Sequence, residues 1–181
     1  MKKWFVLLTL VLSMTLLGAC SSKEKTTSAE SKIKVTEENK SYLEVYDKSL
    51  QGFINEMTSI LKTFNDSLDG IYTQEYSKDQ FAQAITSSIE KSNKLVTDVE
   101  SVDVKPELFE AHQNLIVLIN RSHQLLLDAV DMAKSEDREI EKDVLRMEFI
   151  EIKTEQAKIA NQWKILREEL EASEQEAKSN G

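Results

Sequence analysis

The sequence is poor in residues that break helices and in residues that carry chemistry. It has one proline, four glycines, one cysteine and two histidines in 181 residues. A lone cysteine excludes an internal disulfide, so any exported form must fold on an apolar core alone. Catalytic signatures are missing as well. There is no Gly-x-Ser-x-Gly elbow, no phosphate-cradling glycine loop and no His-Glu-x-x-His zinc motif. Asn65, Asp66 and Asp69, just before Gly70, lack the spacing of a calcium loop and suit a polar helix end. Basic residues are outnumbered, 23 against 32 acids, for a net charge of −9. That balance argues against nucleic acid, whose phosphates demand a basic surface, and against lying flat on anionic lipid. No segment alternates with a strand's period of two, and no internal repeat is visible.

What is present begins with a leader. Met1-Lys2-Lys3 supply positive charge, Trp4 to Leu17 form an apolar run, and Leu17-Gly18-Ala19-Cys20 make a small-residue junction. The run falls short of the about 20 residues a membrane span needs, and suits the hydrophobic region of a cleaved signal. The junction resembles the lipobox of bacterial lipoproteins, with glycine before alanine where alanine or serine is commoner. The resemblance covers residues 1–20 and implies a signal peptide over 1–19, cleavage before Cys20 and attachment of diacylglycerol to its thiol. Cys20 is then a lipid anchor, not a nucleophile or redox centre. Two acyl chains, at about 0.8 kcal/mol per buried methylene, hold a protein to a bilayer. Loss of residues 1–19 removes Lys2 and Lys3 and no acid, taking the charge from −9 to −11.

Residues 20–40 hold the anchor and then mostly Ser, Thr, Lys and Glu, a composition that cannot offset its own ordering entropy. They read as a tether with a reach of about 25 Å, from roughly 5–6 Å × √n. Residues 174–181 read as a polar tail. Between them, 41–173 is helical in pattern. Leu43, Tyr46, Leu50, Phe53, Met57, Ile60 and Phe64 step by three and four, with Gly52 inside the helix and Gly70 placed to cap its end. Ser77 and Gln80 form a capping box before Phe81, Ile85, Ile89, Leu95 and Val99. Pro106 fits the first turn of a helix bearing Leu108, Leu115, Ile119, Leu126 and Val130. Ser135 is the expected cap of a fourth helix carrying Leu145, Phe149, Ile152, Ile159, Trp163, Leu166 and Leu170. Four such helices on short connections predict an all-α, antiparallel up-down-up-down four-helix bundle. A three-helix bundle with a separate hairpin, or a dimeric coiled coil, is the alternative.

No catalytic, cofactor-binding or metal residues are expected. His112 and His123 share a face of the third helix, but eleven residues at 1.5 Å each set them about 16 Å apart, too far for one metal. They are expected to flank the apolar stripe and bond locally, with Asn120 one turn before His123. Tyr42, Tyr46, Tyr72 and Tyr76 could make a sugar platform but are better explained as core edges. Lys134, Arg138, Lys142 and Arg146 recur every four residues; on a continuous helix the last three form a row, interleaved with Glu139, Glu141 and Asp143 as local partners.

The plan of anchor, polar tether and compact helical domain resembles small lipoproteins of low-GC Gram-positive bacteria, which implies the outer face of the cytoplasmic membrane. Ser21 after the anchor is also compatible with sorting to a Gram-negative outer membrane. The expected function is a non-enzymatic binding or interaction module at the cell envelope. Its expected partners are the membrane through Cys20, an envelope protein or cell-wall polymer, or a second copy of itself. Alternatives are a small-ligand carrier or enzyme with a pocket around His112, Asn120 and His123, and a lipoprotein that excludes phage or conjugative DNA.

Overall fold

The computed structural model describes residues 33–179. The leader, Cys20 and residues 20–32 lie outside the described residues. Within them the chain forms four helices: α1 (Lys40–Tyr72), α2 (Lys78–Glu100), α3 (Phe109–Lys134) and α4 (Lys142–Ser179). A short 3₁₀ turn, Pro106–Leu108, leads into α3. Among the described residues there is no strand, and no helix is long and apolar enough to cross a membrane.

Each local signal has its counterpart. Ser77 Oγ accepts from the Gln80 N–H at 3.2 Å and Gln80 Oε1 accepts from the Ser77 N–H at 2.9 Å, closing the capping box at the start of α2. Pro106 occupies the first position of its turn, where a missing N–H costs nothing. Two cap positions differ from expectation, and α4 runs on to Ser179, into the expected polar tail. Gly70 does not end α1; the helix runs to Tyr72, and the left-handed residue is Gln74, with φ of 62°. Gly70 serves packing instead, because a Cβ there would lie 2.9 Å from Cγ of Tyr76. Ser135 does not cap α4 but follows α3, its N–H donating to Asp131 O. A helix start needs the capping side chain to meet free N–H groups two or three residues on. Residues 136–141 are instead non-helical.

The helices run up-down-up-down. Around the bundle α1 packs on α2 and α4, α3 packs on α2 and α4, and α1 touches α3 across the diagonal. α2 and α3 pack most extensively. Their inward faces carry Ser88, Ser92, Ser122, Ala129 and Ala133, all buried, and small side chains let two backbones come close. α4 enters the core through two columns of period seven, Leu145, Ile152, Ile159, Leu166 and Phe149, Gln156, Trp163, Leu170. All are buried except Phe149, which is half-buried and stacks on Phe64 at 5.9 Å between ring centres. Burying a leucine or phenylalanine contributes about 1.5–3 kcal/mol, so this shared core dominates stability. The core also reaches back before α1, where Ile33 and Val35 pack against it.

Candidate functional site

The polar residues singled out from the sequence are drawn into the fold. His112 is buried at the first turn of α3. Its Nε2 lies 3.0 Å from the Val99 carbonyl at the end of α2, and its Nδ1 lies 2.8 Å from the Tyr46 hydroxyl on α1. A carbonyl can only accept, so Nε2 carries the proton and Nδ1 accepts from Tyr46. Burial pushes the His112 pKa below its ordinary value, which the Val99 hydrogen bond opposes in part. Burial, then the neighbouring Tyr42, pushes the Tyr46 phenol well above its ordinary value, so it remains a donor. Trp163 of α4 closes the cluster, 5.0 Å from Tyr46 between ring centres. One neutral imidazole thus ties α1, α2 and α3 together beneath an α4 indole.

His123 lies elsewhere on α3, its Nδ1 3.1 Å from Ser92 Oγ on α2. Asn120 donates to Glu100 at 3.2 Å and to Ile116 O at 3.1 Å. The expectation of local bonding therefore fails for both histidines; their partners come from neighbouring helices, which a single helix pattern cannot display. The structure does not bring His112, Asn120 and His123 to one cavity. Among the described residues, no buried side-chain nitrogen or oxygen lacks a partner, and no three His, Cys, Asp or Glu side chains converge as a metal site.

The basic row dissolves. Arg138 sits in the non-helical link and pairs with Glu141 at 2.7 Å. Arg146 reaches α1, bonding Asn65 at 2.5 Å and Asp69. Lys142 and Arg146 lie over the Tyr72 ring, 5.1 and 5.3 Å from its centre. Tyr72 donates to Asp143 at 2.6 Å, which raises its pKa. Lys78 clamps the same link, donating to Ser135 O at 3.1 Å and Arg138 O at 2.5 Å. At the opposite end the Lys105 N–H donates to Tyr42 at 2.7 Å. The tyrosines are thus fasteners at bundle ends, except Tyr46, which is core.

Three interhelical arms were not legible in the sequence. Buried Gln156 donates to Thr58 at 2.7 Å. Arg167 bonds the carboxylate of buried Asp47 at 3.2 Å. Arg121 of α3 holds Glu148 at 2.6 Å and Glu151 at 3.0 Å. A polar residue falling in an apolar column, as Gln156 does, is the one signal that could have been found.

Two surface features stand out among the described residues. A groove of about 480 Å³ between α1 and α2 is lined by Gly52, Phe53 and Leu95, with Lys48, Lys91 and Lys94 at its rim. The second is the outward face of α4. Four of the ten exposed large apolar side chains among the described residues lie there: Met147 (61% exposed), Ile150 (53%), Val144 (47%) and Ile165 (46%). The others are spread singly over α1, α3 and the α1–α2 turn. Thr154, Ala157 and Asn161 complete the strip, so its centre line from Met147 to Asn161 carries no charge. A shallow trough of about 600 Å³ runs along Phe149, Ile150, Thr154, Ala157 and Asn161, with Lys153 and Lys158 also in its lining. An amphipathic helix in a bundle ordinarily turns charge outward, and this centre line, about 21 Å long at 1.5 Å per residue, departs from that rule. Comparison with family models, with curated proteins and with solved structures finds no match to this chain.

Proposed function

We propose that this chain is a lipid-anchored, extracytoplasmic interaction module of the cell envelope, held through Cys20 and acting by contact instead of catalysis. The observation that carries it is the exposed, charge-free line of α4 from Met147 to Asn161, which lies on the face opposite the one that fills the core. Supporting it, the polar groups that could have lined a ligand pocket, His112, Asn120 and His123, are engaged by the bundle itself. The anchor rests on the Leu17-Gly18-Ala19-Cys20 junction.

The experiment is photo-crosslinking in intact cells from a reactive side chain placed at Met147. A specific protein adduct is expected, lost when Ile150→Glu is added and absent from a control position on exposed Gln113. Cys20→Ser in the same cells should abolish acylation and release the domain from the membrane fraction. A well-expressed, folded protein that yields no Met147 adduct would refute the interaction module.

A further inference from the structure

We infer that the occupant of the α4 outer strip is a second copy of this chain, bound antiparallel about a two-fold axis. This inference rests on the interaction reading above and names its partner. Assigning Met147, Thr154 and Asn161 to position a of a heptad puts Ile150, Ala157 and Lys164 at d. The core columns Leu145, Ile152, Ile159 and Leu166 then fall at f, directly opposite. α4 therefore has two seams on one helix, the inner one occupied and the outer one bare.

Charge decides the direction. The e positions flanking the outer seam are Val144, Glu151, Lys158 and Ile165. In an antiparallel pair e faces e. Placing Thr154 against the partner's Ala157 sets Glu151 against the partner's Lys158, and, by symmetry, Lys158 against the partner's Glu151. The same register sets Val144 against the partner's Ile165 at both ends, closing the strip with its remaining exposed apolar residues. An isologous interface of this kind satisfies each contact twice. On the other flank Arg146 falls opposite the partner's Arg167, and each is already held by an acid of its own chain, Asp69 and Asp47. Moving the register by one heptad in one direction brings Glu151 onto the partner's Glu151, and in the other Lys158 onto the partner's Lys158. A parallel pair sets Lys153 against the partner's Lys158 and stacks Lys164 on its own copy. Both alternatives place like charges together on the Glu151–Lys158 flank or in the seam, whereas the favoured register confines them to Arg146 and the partner's Arg167 and sets Lys164 against the partner's Met147.

To engage the partner, Glu151 must leave Arg121 at 3.0 Å and Lys158 must leave Glu155 at 2.9 Å. Arg121 keeps Glu148 at 2.6 Å if Glu151 turns outward. Lys158 and its neighbour Glu155 are exposed or nearly so, with side chains 63% and 44% accessible, and form only a surface pair. The small Ala157 and Thr154 at the crossing point allow the two helices to approach closely.

The test is sedimentation equilibrium of the full chain in a density-matched non-ionic detergent, with circular dichroism confirming that each variant is folded. Wild type is expected to dimerise, more weakly as salt is raised. Glu151→Lys and Lys158→Glu should each weaken self-association about tenfold, because each turns two attractions into two repulsions. Mixed together, the two single variants should pair with each other, and the double variant Glu151→Lys, Lys158→Glu should dimerise like wild type. A monomeric wild type at concentrations of about 100 μM, or a dimer indifferent to both substitutions, overturns the inference. Loss of dimer in the single variants without rescue on mixing overturns the antiparallel register. The two readings separate cleanly: a monomeric chain that still gives the Met147 adduct with another protein sinks self-association and leaves the interaction module standing.

Discussion

The α2–α3 pair and α4 are fastened to the bundle in different ways. Along α2–α3 the contact is made by small buried residues, Ser88, Ser92, Ser122, Ala129 and Ala133, and the backbones lie close. α4 instead rests on α1 and α3 through large rings and long arms: Phe149 on Phe64, Trp163 on Tyr46, and Gln156, Arg146 and Arg167 reaching across. Close backbone packing depends on many small contacts and tolerates the loss of any one. α4 adds these rings and arms to its buried columns, so more of its attachment is carried by a few large side chains. α4 is thus expected to loosen before the α2–α3 pair, and it also carries four of the exposed large apolar side chains among the described residues.

The comparison is broken most severely at Trp163. Trp163→Ala removes a buried indole and should cost about 3–5 kcal/mol, read as a lower denaturant midpoint. Hydrogen exchange would locate the damage: amides of α4 should exchange faster while those of α2 and α3 keep most of their protection. Equal loss of protection in all four helices would show that α4 is no weaker a part of the fold than the α2–α3 pair.

Acid probes the imidazole that ties α2 and α3 to α1. The His112 pKa in the folded protein lies below its ordinary value, so between that ordinary value, about 6.5, and the lowered one the unfolded chain binds more protons. The His112 contribution to stability is therefore complete above about pH 6.5 and is lost as pH falls toward the lowered value. Denaturant midpoints measured at pH 7.5 and at pH 5 should differ less in His112→Gln than in wild type. An identical pH dependence in the two would remove the neutral imidazole from the account.

The smallest effect has the opposite sign. Gly52 lies inside α1, and a Cβ there meets nothing within 4 Å. Gly52→Ala should stabilise by about 0.5–1 kcal/mol, since glycine costs roughly that much in a helix interior. A rise in thermal midpoint would confirm that the α1–α2 groove is open space, unlike the filled seams beside it. A fall would mean that the groove closes in solution.

Much of the bundle was legible in the chain. The stripe from Leu43 to Phe64, the capping box at Ser77 and Gln80, the proline before α3 and the apolar core residues of α4 all follow from periodicity and from which side chains satisfy free N–H groups. Antiparallel order followed from short connections. The start of α4 was misread because Ser135 has the chemistry of a cap, yet the segment after it is engaged from outside, with Lys78 drawing in two of its carbonyls. A bond between residues nearly sixty apart leaves no trace in local pattern.

The sequence by itself determined the helices and their inner faces, because these depend on residues three, four or seven positions apart. Only the tertiary structure decided where the polar residues go. It joined His112 to Tyr46 and Val99, parted it from His123, and spread the row of basic side chains among separate acids. It also showed that α4 buries one face in the bundle and leaves Met147, Ile150 and Ile165 exposed on another. A helix pattern gives the direction of each side chain about its own axis. Which direction is left uncovered is set by where the other three helices stand.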